Sequence, residues 1–274
     1  MGGGRRWSDE EIKTVRENRA LTAKEVSDLL PGRSVSAVNQ CRRKFNIRAD
    51  YLAVRNGLDS SLALEDLSSI AQQIIISGLH CDGSIKRTSV TGHVYYRFAV
   101  NHGAKQYDYG AFKARQLDEL GATTRTSPYK YGGTRIWVST ASLPMFKTIY
   151  DEIYDRKNSW GHRTKGWPGV HWTERLDDLG LVLCVADDGC LPKRSGMRIG
   201  WHRPNGEQIA DTTRILRRKF DVDIRAYNHK DSRALYFTTE ATETILSRLR
   251  AAFLRFQLPE CVAYKFWPGG DYPG

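Results

Sequence analysis

Two aspartates, Asp82 and Asp188, stand where a carboxylate is costly and where a pair of them could do chemistry. Each closes an apolar run with small residues inside it. The runs are Ile74-Ile75-Ile76-Ser77-Gly78-Leu79-His80-Cys81-Asp82-Gly83 and Gly180-Leu181-Val182-Leu183-Cys184-Val185-Ala186-Asp187-Asp188-Gly189. Both predict buried helices, and the Asp-Gly ending predicts a stop in a left-handed turn. A carboxylate in the last turn lies at the negative end of the helix dipole, and burial opposes its charge again. Two such residues in one chain imply something positive that holds them together. A divalent metal with oxygen ligands, Mg²⁺ or Mn²⁺, is the simplest candidate. The candidate metal set is Asp82 and Asp188, with Gly83 and Asp187 beside them. Asp187 lies about 100° round the helix from Asp188, so the two cannot face one ion equally. Alignment to Gly189 selects Asp188.

The elements that must position this pair recur. The aspartates are 106 positions apart, which makes the repeat a half-domain rather than a short solenoid unit. The first half spans residues 65–156. It reads as a helix over 67–79, strands over 84–88 and 94–101, a helix over 104–120, strands over 123–131 and 134–139, and a helix over 143–154. In the second of these strands Tyr96, Phe98 and Val100 alternate with Tyr95, Arg97, Ala99 and Asn101. A polar connector, 157–172, leads to the second half, 173–274. There Thr173 is the expected cap of the helix ending at Asp188. Strands follow over 191–194 and 197–202, a helix over 206–220, strands over 222–227 and 234–239, and a helix over 240–256. His162 and His171 of the connector have no Cys or acid at a zinc-like spacing.

Residues 1–50 read as a separate module of three short helices. Ser8 with acids behind it starts the first. Thr22 and Glu25 open the second, Pro31-Gly32 breaks it, and Ser34 or Ser36 starts the third. The third helix carries Asn39, Gln40, Arg42 and Arg43, with Arg33 just before it. A basic, amide-bearing last helix is what a helix-turn-helix reader presents to the major groove, and the pattern resembles the SANT/Myb-like family. Residues 51–64 read as a linker. The whole chain has 42 Lys+Arg against 31 Asp+Glu, a net charge of +11 in 274 residues. That excess points to a polyanionic partner. No run is long enough to span a membrane. The five cysteines form no CxxC pair and read as reduced residues of an intracellular protein.

The two Asp-Gly helices heading one repeated order, with Tyr264-Lys265-Phe266 downstream, resemble the monomeric two-motif LAGLIDADG homing endonucleases. The resemblance covers roughly residues 65–267. It implies an α+β fold: two αββαββα halves about a pseudo-twofold axis, the motif helices at the centre, and two saddle-shaped antiparallel sheets over DNA. The N-terminal module adds a small all-α domain. The resemblance further implies one catalytic Asp per strand, a metal-dependent double-strand break with short 3′ overhangs, and a Lys in each half that helps neutralise the transition state. Lys265 matches the family word, and Lys157 is its expected counterpart.

DNA readout is expected from the strand faces turned away from the core: Lys86, Arg97, Asn101, Arg135 and Trp137 in the first half, and Arg194, Arg198, Arg225, Tyr227 and Tyr236 in the second. Unlike halves imply a long asymmetric target, read by a monomer on double-stranded DNA. A bacterial or phage-infected cytoplasm is the expected compartment, and an intron or other mobile element the expected setting. The alternative is a non-cleaving DNA or RNA binder on the same fold, a maturase or a transcription regulator. An intein is disfavoured, because the N-terminus is not a nucleophile and no terminal His-Asn is present.

Overall fold

A computed structural model of the chain describes residues 6–19, 21, 23–45, 47, 61–90, 93–128, 133–157, 163–192, 196–201, 206–229, 232–270 and 272–273. The N-terminal module comprises α1 (Asp9–Glu17), α2 (Ala23–Asp28) and α3 (Val35–Lys44). Ser8 and Glu11 close a full capping box on α1, and Ser34 caps α3. Thr22, the expected cap of α2, lies outside the described residues. Ile12, Val15, Val26, Leu30, Val38, Cys41 and Ile47 form a core of their own.

The body repeats one order twice. The first half runs α4 (Ser69–His80), β1 (Ser84–Val90), β2 (His93–Gly103), α5 (Tyr107–Gln116), β3 (Thr123–Pro128), β4 (Thr134–Ser139) and α6 (Pro144–Ile153). The second runs α8 (Asp178–Asp188), β7 (Gly189–Cys190), β8 (Arg198–Trp201), α9 (Gly206–Phe220), β9 (Ile224–His229), β10 (Ser232–Phe237) and α10 (Thr239–Arg255). Each half folds a four-stranded antiparallel sheet, ordered β1-β2-β4-β3 and β7-β8-β10-β9. The inward rows are apolar: Ile85, Phe98, Val100, Ile136 and Val138 in one sheet, Ile199, Trp201, Ile224, Leu235 and Phe237 in the other. One continuous core covers both halves. Among the described residues no helix is long and apolar enough to cross a membrane.

The connector is more than a spacer. It holds a small antiparallel hairpin, β5 (Arg156–Lys157) with β6 (Arg163–Thr164), and a short helix, α7 (Val170–Glu174). Thr173 therefore does not cap the second motif helix. Asp177 does, accepting from Gly180 N at 2.9 Å. The first strand of the second half sits at 189–190, ahead of its expected position at 191–194, because pairing with β8 begins directly at the helix end.

Neither motif glycine takes the left-handed turn expected of it. Gly189 is extended, with φ −76° and ψ 149°, and the non-negative φ values belong to other residues than Gly83. What both positions require is absence of a side chain. A Cβ on Gly83 would lie 2.7 Å from Gly78 Cα, and one on Gly189 would lie 2.4 Å from Val185 O. The chain folds back tightly against its own helix as it leaves for the first strand.

Candidate active site and DNA interface

Helices α4 and α8 pack side by side at the centre. Gln73 pins one end of the seam, donating to Arg175 O at 2.9 Å and accepting from Asp177 N at 3.2 Å. A Cβ on Gly180 would fall 2.2 Å from Gln73 Oε1, so the small residue is needed for this approach. At the other end the Cys81 thiol lies 3.9 Å from Cys184 O. Gly78 faces β2, where an added Cβ would strike the Phe98 ring at 2.7 Å.

Helices that start and end together bring Asp82 and Asp188 to one cavity of about 500 Å³. Lys86, Arg163 and Lys165 also line it. The Asp188 carboxyl is pushed up to about 7, by burial first and then by the charges of Asp82 and Asp187. Asp82 is exposed at the cavity mouth, yet it is crowded by enough protein that burial, with the Asp187 charge, raises its carboxyl too. Two carboxylates that raise the cost of ionisation here make a donor set suited to a hard cation. Among the described residues no cluster of three or more His, Cys, Asp or Glu could hold a metal. Two carboxylates alone suit a hard divalent cation that completes its shell with waters and substrate oxygens.

Asp187 does not join that set as a ligand. Its carboxylate is fully buried and bonds Lys113 Nζ at 2.7 and 2.9 Å. Burial raises its carboxyl, but the Lys113 ammonium outweighs that and holds it below the usual range. His80, beside Asp82 in sequence, is a satisfied core histidine. Its Nδ1 is 2.9 Å from Ile76 O, its Nε2 is 3.1 Å from Thr173 Oγ1, and Trp167 and Trp201 pack on its ring. Burial lowers it to about 4, so it is neutral at pH 7.

A lysine closes each motif helix. Lys265 Nζ donates to Asp187 O at 2.8 Å. Lys165 Nζ donates to the carbonyls of Gly78, Cys81 and Gly83 at 3.0, 2.7 and 2.6 Å. The last carbonyls of a helix lack intrahelical partners and carry the negative end of the dipole. A lysine there satisfies them and sets a positive charge next to the aspartate. Lys157, the expected counterpart of Lys265, lies in β5, and it is Lys165 that reaches the end of the first motif helix. A sequence signal existed. Lys165-Gly166-Trp167-Pro168 and Lys265-Phe266-Trp267-Pro268 are the same Lys-x-Trp-Pro word. Lys157 is the expected residue because it follows the corresponding helix of the first half, and the hairpin β5–β6 separates it from Lys165.

The sheet faces carry the expected polar rows. Lys86 pairs with Arg97 across β1 and β2, Asn101 with Trp137 across β2 and β4, and Trp137 with Arg125 across β4 and β3. Two like charges directly opposite are unfavourable by themselves and suit an anion laid across them. Arg135 stacks over Trp137 at 4.6 Å and bonds Ser127 Oγ, which Trp137 Nε1 also reaches at 2.9 Å. Asn101 and Arg135 line a smaller cavity of about 250 Å³ that also reaches Asp82. Arg125, exposed on the same face, was not anticipated. In the second sheet Arg198, Tyr236 and Arg225 form one cross-strand row, and Arg198 lies 5.3 Å from the Tyr227 ring. Arg194 lies outside the described residues.

In the N-terminal module two expected readers are internal. Arg33 is buried, bonds Glu11 at 2.9 and 2.6 Å and stacks on Trp7 at 4.1 Å. Arg42 is buried and donates to Leu21 O at 2.7 Å. Both hold the three helices together, which removes them from a DNA-facing surface. Ser36, Asn39, Gln40 and Arg43 remain exposed, at a spacing that places them on one face of α3.

The family described as LAGLIDADG DNA endonuclease matches residues 72–245. No curated protein sequence matches the chain. Among solved structures, the homing endonuclease I-WcaI bound to its DNA recognition sequence is similar at 14% identity, over 88% of this chain and 96% of that one, with a TM-score of 0.57. I-DmoI in complex with DNA and Ca is 14% identical over 71% of this chain and 96% of that one, with a TM-score of 0.48. At 14% identity the likeness to I-WcaI is one of fold alone. With the family matched from within the first motif helix to the last helix of the second half, the chain belongs to the LAGLIDADG DNA endonuclease family.

Proposed function

We propose that this chain is a site-specific homing endonuclease that cuts both strands of a long, asymmetric DNA target and leaves short 3′ overhangs. The observation that carries the reading is the meeting of Asp82 and Asp188 at one cavity, below two lysines that close the helix ends. Asp82 and Asp188 would hold Mg²⁺ or Mn²⁺. When bound, such an ion supplies an activated water and charge neutralisation at the scissile phosphate. Lys165 and Lys265 offset negative charge that gathers on the phosphate, one in each half. The sheet faces grip the duplex: arginines and Asn101 address base edges, Lys86 addresses phosphate, and Trp137, Tyr227 and Tyr236 orient the guanidinium planes beside them. I-WcaI was solved on its recognition sequence, and a comparable seating under both sheets is proposed here. The N-terminal module, read as SANT/Myb-like, extends the contact beyond the body through Asn39, Gln40 and Arg43.

The test is cleavage selection from a randomised DNA library with Mg²⁺, followed by kinetics on the selected site. Asp82→Asn and Asp188→Asn are expected to lower cutting by at least about a hundredfold while DNA binding persists. Lys165→Met is expected to lower the rate by about tenfold to a hundredfold, with Lys157→Met near the unaltered rate. Selection of a bound site that is never cut under any divalent ion would instead favour the non-cleaving binder.

A further inference from the structure

The Lys113–Asp187 pair is an expensive feature. Both side chains are at most 1% exposed, and burying two charges carries a desolvation cost that their attraction offsets only in good geometry. An apolar pair would serve packing as well. The pair also joins the two halves, since Lys113 stands on α5 of the first and Asp187 on α8 of the second. A small polar network surrounds it. Lys113 Nζ lies 4.4 Å from the Tyr109 ring, the Tyr109 hydroxyl donates to Leu183 O at 3.5 Å, and the His102 ring packs 4.9 Å from Tyr109. The backbone of the same residue is held from the other side, where Asp187 O accepts from Lys265.

Asp187 is therefore fixed at both ends, and its neighbour in the chain is Asp188. Successive helical residues are set about 100° apart. Once the Asp187 side chain is locked into the first half, the last turn cannot rotate, and Asp188 is aimed at the seam and at Asp82. The corresponding position of the first motif is Cys81, whose thiol lies 3.9 Å from Cys184 O; it has no carboxylate to anchor. The bracing is one-sided.

We propose that Lys113 and Asp187 are positioning residues for Asp188, a cross-half brace that sets the second motif carboxylate, and not the first, for metal binding and strand cleavage. This rests on the endonuclease reading above. The role is distinct from catalysis, because neither side chain faces the cavity that holds the two aspartates.

The experiment compares the full unaltered chain with Lys113→Met/Asp187→Leu, which removes both charges together, and with Lys113→Arg. Three quantities are read: metal-free thermal melting, Mn²⁺ affinity of the DNA-free protein by titration, and the ratio of nicked to linear product from supercoiled plasmid carrying the selected site. The double variant is expected to melt at or above the unaltered temperature, since such replacements are often neutral or stabilising. Its Mn²⁺ affinity is expected to fall by about tenfold or more, and nicked plasmid to accumulate as one strand lags. Lys113→Arg is expected to keep part of the Mn²⁺ affinity. A folded double variant with unchanged Mn²⁺ affinity, or with both strands slowed equally, overturns the proposal. Should the double variant not melt cooperatively, Asp187→Asn preserves shape and decides by the same readouts. An unaltered chain that binds no Mn²⁺ and leaves the plasmid intact would sink the endonuclease reading itself.

Discussion

Asp188 shows how much a single side chain can cost before its ligand arrives. Its carboxyl is raised from 3.8 to about 7 in the fold, through burial, then the Asp82 and Asp187 charges. Between those values the metal-free folded state keeps a proton that the unfolded chain has released. Stability linked to this group therefore falls as pH rises from about 4 to about 7 and stays low above that. Asp188→Asn removes the dependence. In the absence of divalent ions it is expected to melt higher than the unaltered chain at pH 8, on the order of 5 °C, with the gain shrinking toward pH 5. Parallel melting curves at all pH values would mean that the cost lies elsewhere. Lys165 teaches the complementary lesson. Its charge lies at the helix end because three carbonyls there lack partners, and only the repeated Lys-x-Trp-Pro word announced it in the sequence.

The motif helices set the geometry at the next scale. Their apolar faces and small residues were readable as a seam, and the seam formed, pinned by Gln73 at one end and the two cysteines at the other. The reason for the glycines was not readable. A left-handed turn and a tight fold-back both call for glycine, and only coordinates separate them. Gly189→Ala has an acceptable φ but places its Cβ against backbone that cannot yield, at 2.4 Å from Val185 O. It is expected to destabilise the chain by about 1–3 kcal/mol in denaturant melts. Gly103→Ala, where an added Cβ meets nothing within 4 Å, serves as the control and should stay within roughly 0.5 kcal/mol. Strand faces were legible because alternation has a period of two. Arg125 escaped notice because β3 is polar on both faces, its residues being nearly all exposed.

At the scale of the whole molecule, a basic body and a separately cored helical module share one chain. Tethering a second DNA contact raises apparent affinity through effective concentration. Deleting residues 1–50 is expected to weaken binding to the selected site by about tenfold or more and to flatten its salt dependence, while the remaining body still cuts. Affinity measured by titration at two salt concentrations checks this, and an unchanged value would remove the module from DNA recognition. Within the module, Arg33, Arg42 and Arg43 read alike as candidate DNA contacts in the sequence. Arg33 and Arg42 proved internal, because Glu11 and the backbone carbonyls of Arg6 and Leu21 take their guanidinium groups.

The sequence by itself determined the repeat, the order of elements in each half, the two aspartates and the apolar rows beneath each sheet. These follow from local periodicity and from chemistry that is costly unless used. Tertiary structure alone decided which charges are available. Asp187, Arg33 and Arg42 look like Asp188 and Arg43 in a string of letters. Whether such a side chain faces a cavity or a buried partner depends on elements tens of residues away, as Lys113 on α5 does for Asp187.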